Sequence, residues 1–220
     1  MRIPRRLALL ALAGGSALYV RKIHRYRDPV RLGEAGPGEL LCPADGRVSF
    51  VRQINQGHAE ALDWPISELF QGDVPREGWL VGILLSPLDV HYTYAPVSGK
   101  VTSTRSVPGG RHSLGGQHLL QLAAQQPVDL LGSRGTRDNE RHVYTQDTPG
   151  GAVHVVAVGS RAGLQGTTYL KVGDDVRAGH KALFLPEGGL VITYFPLSAR
   201  PQVSVGERVV GARTVMARTG

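Results

Sequence analysis

Residues 179–196 read GHKALFLPEGGLVITYFP: two short apolar runs held apart by Pro186-Glu187-Gly188-Gly189. The same alternation of brief apolar run and Pro/Gly break recurs in WLVGILLSP (79–87) and AVHVVAVGS (152–160). A helix of ordinary length does not survive such breaks, because Pro removes a backbone donor and Gly adds chain entropy. With 29 Gly and 14 Pro in 220 residues, the chain is predicted to be mainly β. The expected form is a compact antiparallel β-sandwich or barrel with hairpin repeats and one or two short helices. On its own residues, 179–196 predicts a plain hairpin, its glycines supplying the positive φ of a tight turn.

The first 27 residues are of a different kind. LALLALAGGSALYV (7–20) is uncharged and mostly apolar, and seven Lys or Arg residues surround it with no acid among them. Fourteen residues fall short of the roughly 20 that a spanning helix needs. The length suits a signal-peptide core or an interfacial anchor. The small-residue cleavage site is poor, since Ser16-Ala17 runs straight into Leu18-Tyr19, so a retained anchor is expected. Residues 1–27 are therefore read as a basic, apolar membrane anchor and 28–220 as the β-domain. The net charge of +7 suits an anionic phospholipid surface. Nucleic acid is not expected: the basic residues cluster at the anchor, and no aromatic interleaving accompanies them. The expected location is the inner cell membrane, peripheral or anchored.

Within the β-domain, LLCPADGRVSFVRQI (40–54) reads as strand, turn and strand, with Asp45-Gly46 as the turn pair. HAEALDWPISELF (58–70) admits a helical turn on either side of Pro65, and His118–Gln125 is the best helix candidate. Two echoes stand out. LKVGDDVRAGHKALF (170–184) matches VSVGERVVGARTVMA (203–217), and PADGRV (43–48) matches PVSGKV (96–101). The first pair resembles the hairpins of biotinyl and lipoyl carrier domains, without their Met-Lys pair. Cys42, the one cysteine, has no basic cluster in sequence beside it to lower its pKa and is read as core filler.

The chemistry is expected in LLSPLDVHYTYAPVSGKV (84–101). In a strand, Asp89 and His91 would share a face, and a carboxylate beside an imidazole orients it as a general base. The other histidines, His58, His112, His118, His142, His154 and His180, lack ligand spacing, so no metal site is expected.

RYRDP (25–29), PADGRV, the SPLDVHYTYAPV block, DNERHVYTQ (138–146) and 171–196, in this order and spacing, resemble the short bacterial phosphatidylserine decarboxylases. The likeness runs from about Tyr26 to Ala217. It implies a membrane-associated enzyme of phospholipid biosynthesis that decarboxylates phosphatidylserine to phosphatidylethanolamine. It implies a pyruvoyl group made from the chain itself by cleavage at a Gly-Ser bond, with an Asp-His-Ser arrangement activating the hydroxyl. Carried over by motif, Asp45 takes the family's Asp and His91 a family His. Tyr94 stands where some longer members carry a second His. Asp89, Asn139, Glu140 and Arg141 fall in family blocks without individual roles. Aligned back from Pro196, Gly188 takes the cleavage Gly, Gly189 takes the Ser, and Leu190 follows.

Glycine has no oxygen with which to form the ester or become a pyruvoyl. Other serines are poor substitutes: Ser160 follows a Gly but lies early, Ser198 lacks a preceding Gly, and Ser86 and Ser98 read as structural. The alternative expectation is a non-catalytic relative that stays uncut and binds lipid headgroups. A second copy or an active paralogue is the protein partner this reading admits.

Overall fold

The computed structural model describes residues 5–60, 62–72, 76–114, 121 and 126–220. Helix α1 (Arg5–Lys22) and a 3₁₀ turn (His24–Tyr26) precede β1 (Glu39–Leu41), β2 (Gly46–Asn55), β3 (His58–Ala59), α2 (Ile66–Phe70) and β4 (Gly78–Leu85). Next come β5 (Tyr92–Tyr94), β6 (Gly99–Val107), α3 (Arg134–Asp138), β7 (Arg141–Asp147), β8 (Val153–Gly159) and β9 (Thr167–Thr168). The chain closes with β10 (Asp175–Val176), β11 (Lys181–Phe184), β12 (Gly189–Phe195), β13 (Ala199–Pro201), β14 (Arg208–Val209) and β15 (Val215–Thr219). The mainly β, antiparallel expectation holds. The main sheet runs β10-β6-β7-β8-β12-β4-β2-β14, with β3 beside β2, and two small sheets run β1-β15-β13 and β5-β11-β9.

Strands β8 and β12 sit at the middle of the main sheet and are buried at every position. Burial on both faces explains why AVHVVAVG and LVITYF read as near-continuous apolar runs instead of alternating ones. On one face Val81, Ile83, Val155, Ala157, Val191 and Phe195 pack with residues of the small sheets, such as Leu183 and Met216. On the other, Phe50, Leu80, Val156, Ile192 and Tyr194 pack under Leu69, Phe70, Leu130 and Leu131.

The two sequence echoes are one internal duplication. Segments 39–48 and 204–219 are joined as 92–101 and 171–185 are joined, bond for bond. Gly179 N donates to Ala95 O (2.8 Å) where Ala212 N donates to Cys42 O (2.9 Å). Val101 N donates to Asp174 O where Val48 N donates to Glu207 O, both at 2.9 Å. Ala178 N donates to Ser98 Oγ (3.0 Å) where Gly211 N donates to Asp45 Oδ1 (2.8 Å). Each repeat lays a two-residue strand, β10 or β14, along an edge of the main sheet, then crosses to a small sheet as β11 or β15.

Several local expectations are corrected by this arrangement. The repeats are not hairpins, because their two strands belong to different sheets. Asp45-Gly46 likewise links β1 to β2 without pairing them, and Pro186–Gly188 links β11 to β12 without pairing them. Tertiary pairing overrides local turn chemistry in each case. Of the two helical turns flanking Pro65, only the following one forms, as α2; β3 precedes it. The helix candidate at 118–125 lies outside the described residues except for Gln121. Among the described residues, no helix is long and apolar enough to cross a membrane. The apolar segment at 7–20 is nonetheless helical within α1, and its Leu9, Leu12 and Leu18 are exposed.

Two histidines on the main sheet titrate with folding. His154 packs edge-on against Phe70 and Tyr194, hydrogen bonds Thr145 Oγ1 at 3.0 Å, and burial lowers its pKa to about 4. His142 lies between Thr104 and Ser106, and burial lowers its pKa as well. Both groups bind protons less readily when folded. Stability is therefore full above the ordinary histidine pKa and is lost as pH falls from about 6.5 toward 4. His154 alone accounts for about 3 kcal/mol of that loss. Urea unfolding at pH 7, 5.5 and 4.5 is expected to track it, and His154→Gln is expected to flatten the profile.

Candidate functional site

The site is built on the turn that ends β11. Gly188 N donates to Leu185 O (2.9 Å), with Pro186 and Glu187 between, and Gly188 has φ +66°. Pro fixes φ at the second turn position, and glycine takes the left-handed fourth. His91 is tied to the same residue twice: its carbonyl accepts from Leu185 N (2.9 Å), and its Nδ1 donates to Leu185 O (2.8 Å). The second bond fixes the tautomer and leaves the Nε2 lone pair as acceptor. Nε2 is buried and has no hydrogen-bond partner among the described residues. A Cβ built on Gly188 would lie 4.0 Å from His91 Cε1, so the free imidazole edge and the Gly188-Gly189 pair share one place.

The duplication shows what is added here. In the other repeat the bond from Leu185 N to His91 O becomes Thr219 N to Gly38 O (2.8 Å). Gly38 thus stands where His91 stands, beside a cavity of about 520 Å³ lined by Gly38, Leu40, Val153 and Thr219. The fold unit closes without the imidazole.

Neither predicted carboxylate touches His91. Residues 87–91 form turns and loop instead of a strand, so the shared face expected for Asp89 and His91 does not exist. Asp89 accepts from Ser86 N (2.7 Å) and Arg208 Nη2 (2.9 Å). Asp45 is held by Arg31 through both carboxylate oxygens and accepts from Gly211 N. Arg31 also lies over the Tyr94 ring at 5.2 Å, and burial pushes the Tyr94 phenol up to about 12. Asp45 therefore takes the turn-bonding place that Ser98 takes in the other repeat, and the Asp-His pairing implied by the resemblance is not assembled. Burial pushes the Cys42 thiol up, which keeps it inert.

The Asn139-Glu140-Arg141 block shapes the neighbouring turn. Asn139 Nδ2 donates to His112 O and Gly159 O, both at 2.8 Å, and Oδ1 accepts from His112 N at 2.6 Å. Glu140 accepts from Leu164 N, while Arg141 Nη1 reaches Thr136 O at 3.4 Å. These bonds fix the chain leaving β8, where Gly159 pairs with Gly189. Ser160 Oγ consequently reaches Glu187 O at 3.4 Å, so this hydroxyl lies at the site although it is distant in sequence.

Sequence reasoning passed over Arg25 and Glu187. Arg25 Nη1 is 2.7 Å from Glu187 Oε1, both side chains largely buried. Arg27 Nη2 donates to Leu88 O (2.6 Å), and His24 Nε2 lies 3.2 Å from the same oxygen. The only available signal was the opposite charge of two segments, which spacing cannot pair.

The position of residue 189 tests the self-derived carbonyl. Gly189 has φ +156°, and a Cβ there would lie 2.4 Å from Val158 O. Residue 189 has no hydroxyl, and its backbone is fitted to glycine. A pyruvoyl group at this position does not fit the chain as it stands. Among the described residues, no group of three or more His, Cys, Asp or Glu side chains is placed to hold a metal.

The structure is a duplicated antiparallel β-fold in which a buried imidazole, its Nε2 without a partner among the described residues, meets an interstrand glycine turn. The family model for phosphatidylserine decarboxylase matches residues 18–217. The phosphatidylserine decarboxylase proenzyme of Mycobacterium avium is 35% identical over 218 residues, covering 97% of this chain and 75% of the relative. That of Mycolicibacterium smegmatis is 32% identical over 215 residues, covering 96% and 78%. That of Polynucleobacter asymbioticus is 27% identical over 201 residues, covering 91% and 79%. The chain belongs to the phosphatidylserine decarboxylase family.

Proposed function

We propose that this chain acts on the serine headgroup of phosphatidylserine, in the phosphatidylethanolamine-forming branch of phospholipid metabolism, with decarboxylation as the family reaction. The observation that carries this reading is the His91 lone pair, buried and unpartnered beside Gly188-Gly189. It gives a base for a substrate proton at the position where the resemblance places the family's chemistry. The relatives' names, proenzymes all, support the reaction class. The setting supports a lipid substrate. Leu88, Tyr26 and Ile23 are exposed beside the site, and the apolar, basic α1 leads directly into the strap at residues 24–28.

A second reading, headgroup binding without decarboxylation, is favoured by Gly189 alone. The intact mass separates the two. One species of 23.6 kDa is expected, because residue 189 cannot open the preceding bond. Carbon dioxide release from phosphatidylserine vesicles by the purified protein then decides the activity. Release supports the decarboxylase reading and requires a carbonyl from elsewhere; binding without release leaves the second reading. A chain found split at Ser160 would place the carbonyl there.

A further inference from the structure

The segment from His24 to Arg31 packs beside the site turn and is fastened at each residue from His24 to Asp28 and again at Arg31. His24 and Arg27 bond Leu88 O, Arg25 bonds Glu187, Lys181 holds Asp28, and Arg31 holds Asp45. Tyr26 stacks on Phe184 at 5.4 Å. Most of these contacts are ordinary docking of a chain segment. The Arg25–Glu187 pair is different in place. Glu187 is the residue before Gly188, and its carbonyl accepts from Ser160 Oγ. Its carboxylate is therefore an anion of this chain seated at the site turn. The cation opposite it belongs to the segment that continues α1, whose leucines are exposed.

We propose that the Arg25–Glu187 pair is a gate, in which the Glu187 carboxylate holds the guanidinium that takes a phosphate-bearing anion, the phosphodiester of a phospholipid headgroup, when the strap meets a membrane. An arginine is suited to either partner, because its planar fork binds carboxylate and phosphate alike. Exchanging one for the other keeps the Arg25 guanidinium paired. It also frees Glu187, and with it the turn that carries Gly188. Phosphatidylcholine carries the same phosphodiester beside a fixed ammonium, so a headgroup of net negative charge is the stronger competitor for Arg25 and loosens the site turn more. The proposal rests on the reading that this turn is the headgroup site.

The test uses the full chain with phosphatidylcholine vesicles, with and without phosphatidylserine, in a flotation assay. Glu187→Gln is expected to raise affinity for the anionic vesicles about fivefold and Arg25→Gln to lower it about fivefold, phosphatidylcholine vesicles changing much less. Asp63→Asn is the charge-matched control: Asp63 is exposed, with no ion pair among the described residues. If Glu187→Gln changes affinity no more than Asp63→Asn, attraction is general and the gate is wrong. Inorganic phosphate at matched concentration separates the ligand sources. Failure to compete supports a membrane headgroup; full competition overturns that part of the proposal. The His91 ring signals in NMR, read with dihexanoyl phosphatidylserine, keep the two readings apart. If they shift while the vesicle affinities of the variants do not, the headgroup site stands and the gate falls. If they do not shift, the headgroup site itself falls.

Discussion

Gly189→Ser is expected to turn a chain that stays whole into one that cuts itself after Gly188. The substitution supplies the missing hydroxyl one residue from the Gly188 carbonyl, in a turn where His91 already presents a buried acceptor nitrogen. Attack of that oxygen on the Gly188 carbonyl carbon breaks the amide and forms an ester, the nitrogen of residue 189 leaving as an amine; β-elimination then parts the chain, a base taking the Cα proton of residue 189 while Gly188 leaves as a carboxylate and a dehydroalanine remains. The backbone adds a push. A Cβ at 189 is forced to 2.4 Å from Val158 O at φ +156°, and strain of this kind costs on the order of 1–3 kcal/mol. Opening the bond relieves it. Gly189→Ala is the companion: it carries the Cβ without the hydroxyl and is expected to lose about that stability without cutting. Adding His91→Ala to the serine variant is expected to abolish the cut. A serine variant that stays in one piece with His91 intact would remove this turn from consideration as a processing site.

Asp45→Ala is expected to destabilise the fold by about 3–5 kcal/mol, the usual cost of leaving a buried partner charge alone. Arg31, with 5% of its side chain exposed, would lose its carboxylate, and Gly211 N would lose its acceptor. Asp45→Ser separates these terms. The other repeat already uses Ser98 to accept the matching amide, so serine is expected to recover about 1 kcal/mol. Urea titration followed by circular dichroism checks both. If Asp45→Ala unfolds like the wild type, the residue is free for the catalytic role that the resemblance implies, and the structural account fails.

Much of the β architecture was legible because burial on both faces writes itself into sequence as unbroken apolar runs, as in β4, β8 and β12. The duplication was legible too, since its VG[DE] and P-x-x-G-[RK]-V turns demand the same residue types twice. Strand partners were not. Turn chemistry at Asp45-Gly46 or Pro186–Gly188 reports a change of direction, and direction is the same whether the next strand pairs with the last or crosses to another sheet. The site was half legible. His91 and Gly189 stood out through resemblance to a family, but the absence of a carboxylate from His91 needed coordinates. Leu185 orients the ring with a backbone carbonyl, which any residue type supplies. Arg25, Glu187 and Ser160 meet from segments 27 to 162 residues apart, beyond anything local spacing encodes.

The duplicated segments are nested like brackets. The inner pair, 92–101 with 171–185, lies inside the outer pair, 39–48 with 204–219. On a chain made from its N-terminus, the inner bracket can shut before β14 and β15 have been made. The outer one cannot: β1 and the start of β2 wait for β15 and β14. Until then the outer edge of β2 is unpaired along its first residues, an invitation to other strands. Strands β1 and β15 are the paired strands farthest apart in sequence, so they close the longest loop in the fold. Closing the inner bracket and closing the outer one are thus separate events, with an open sheet edge in between.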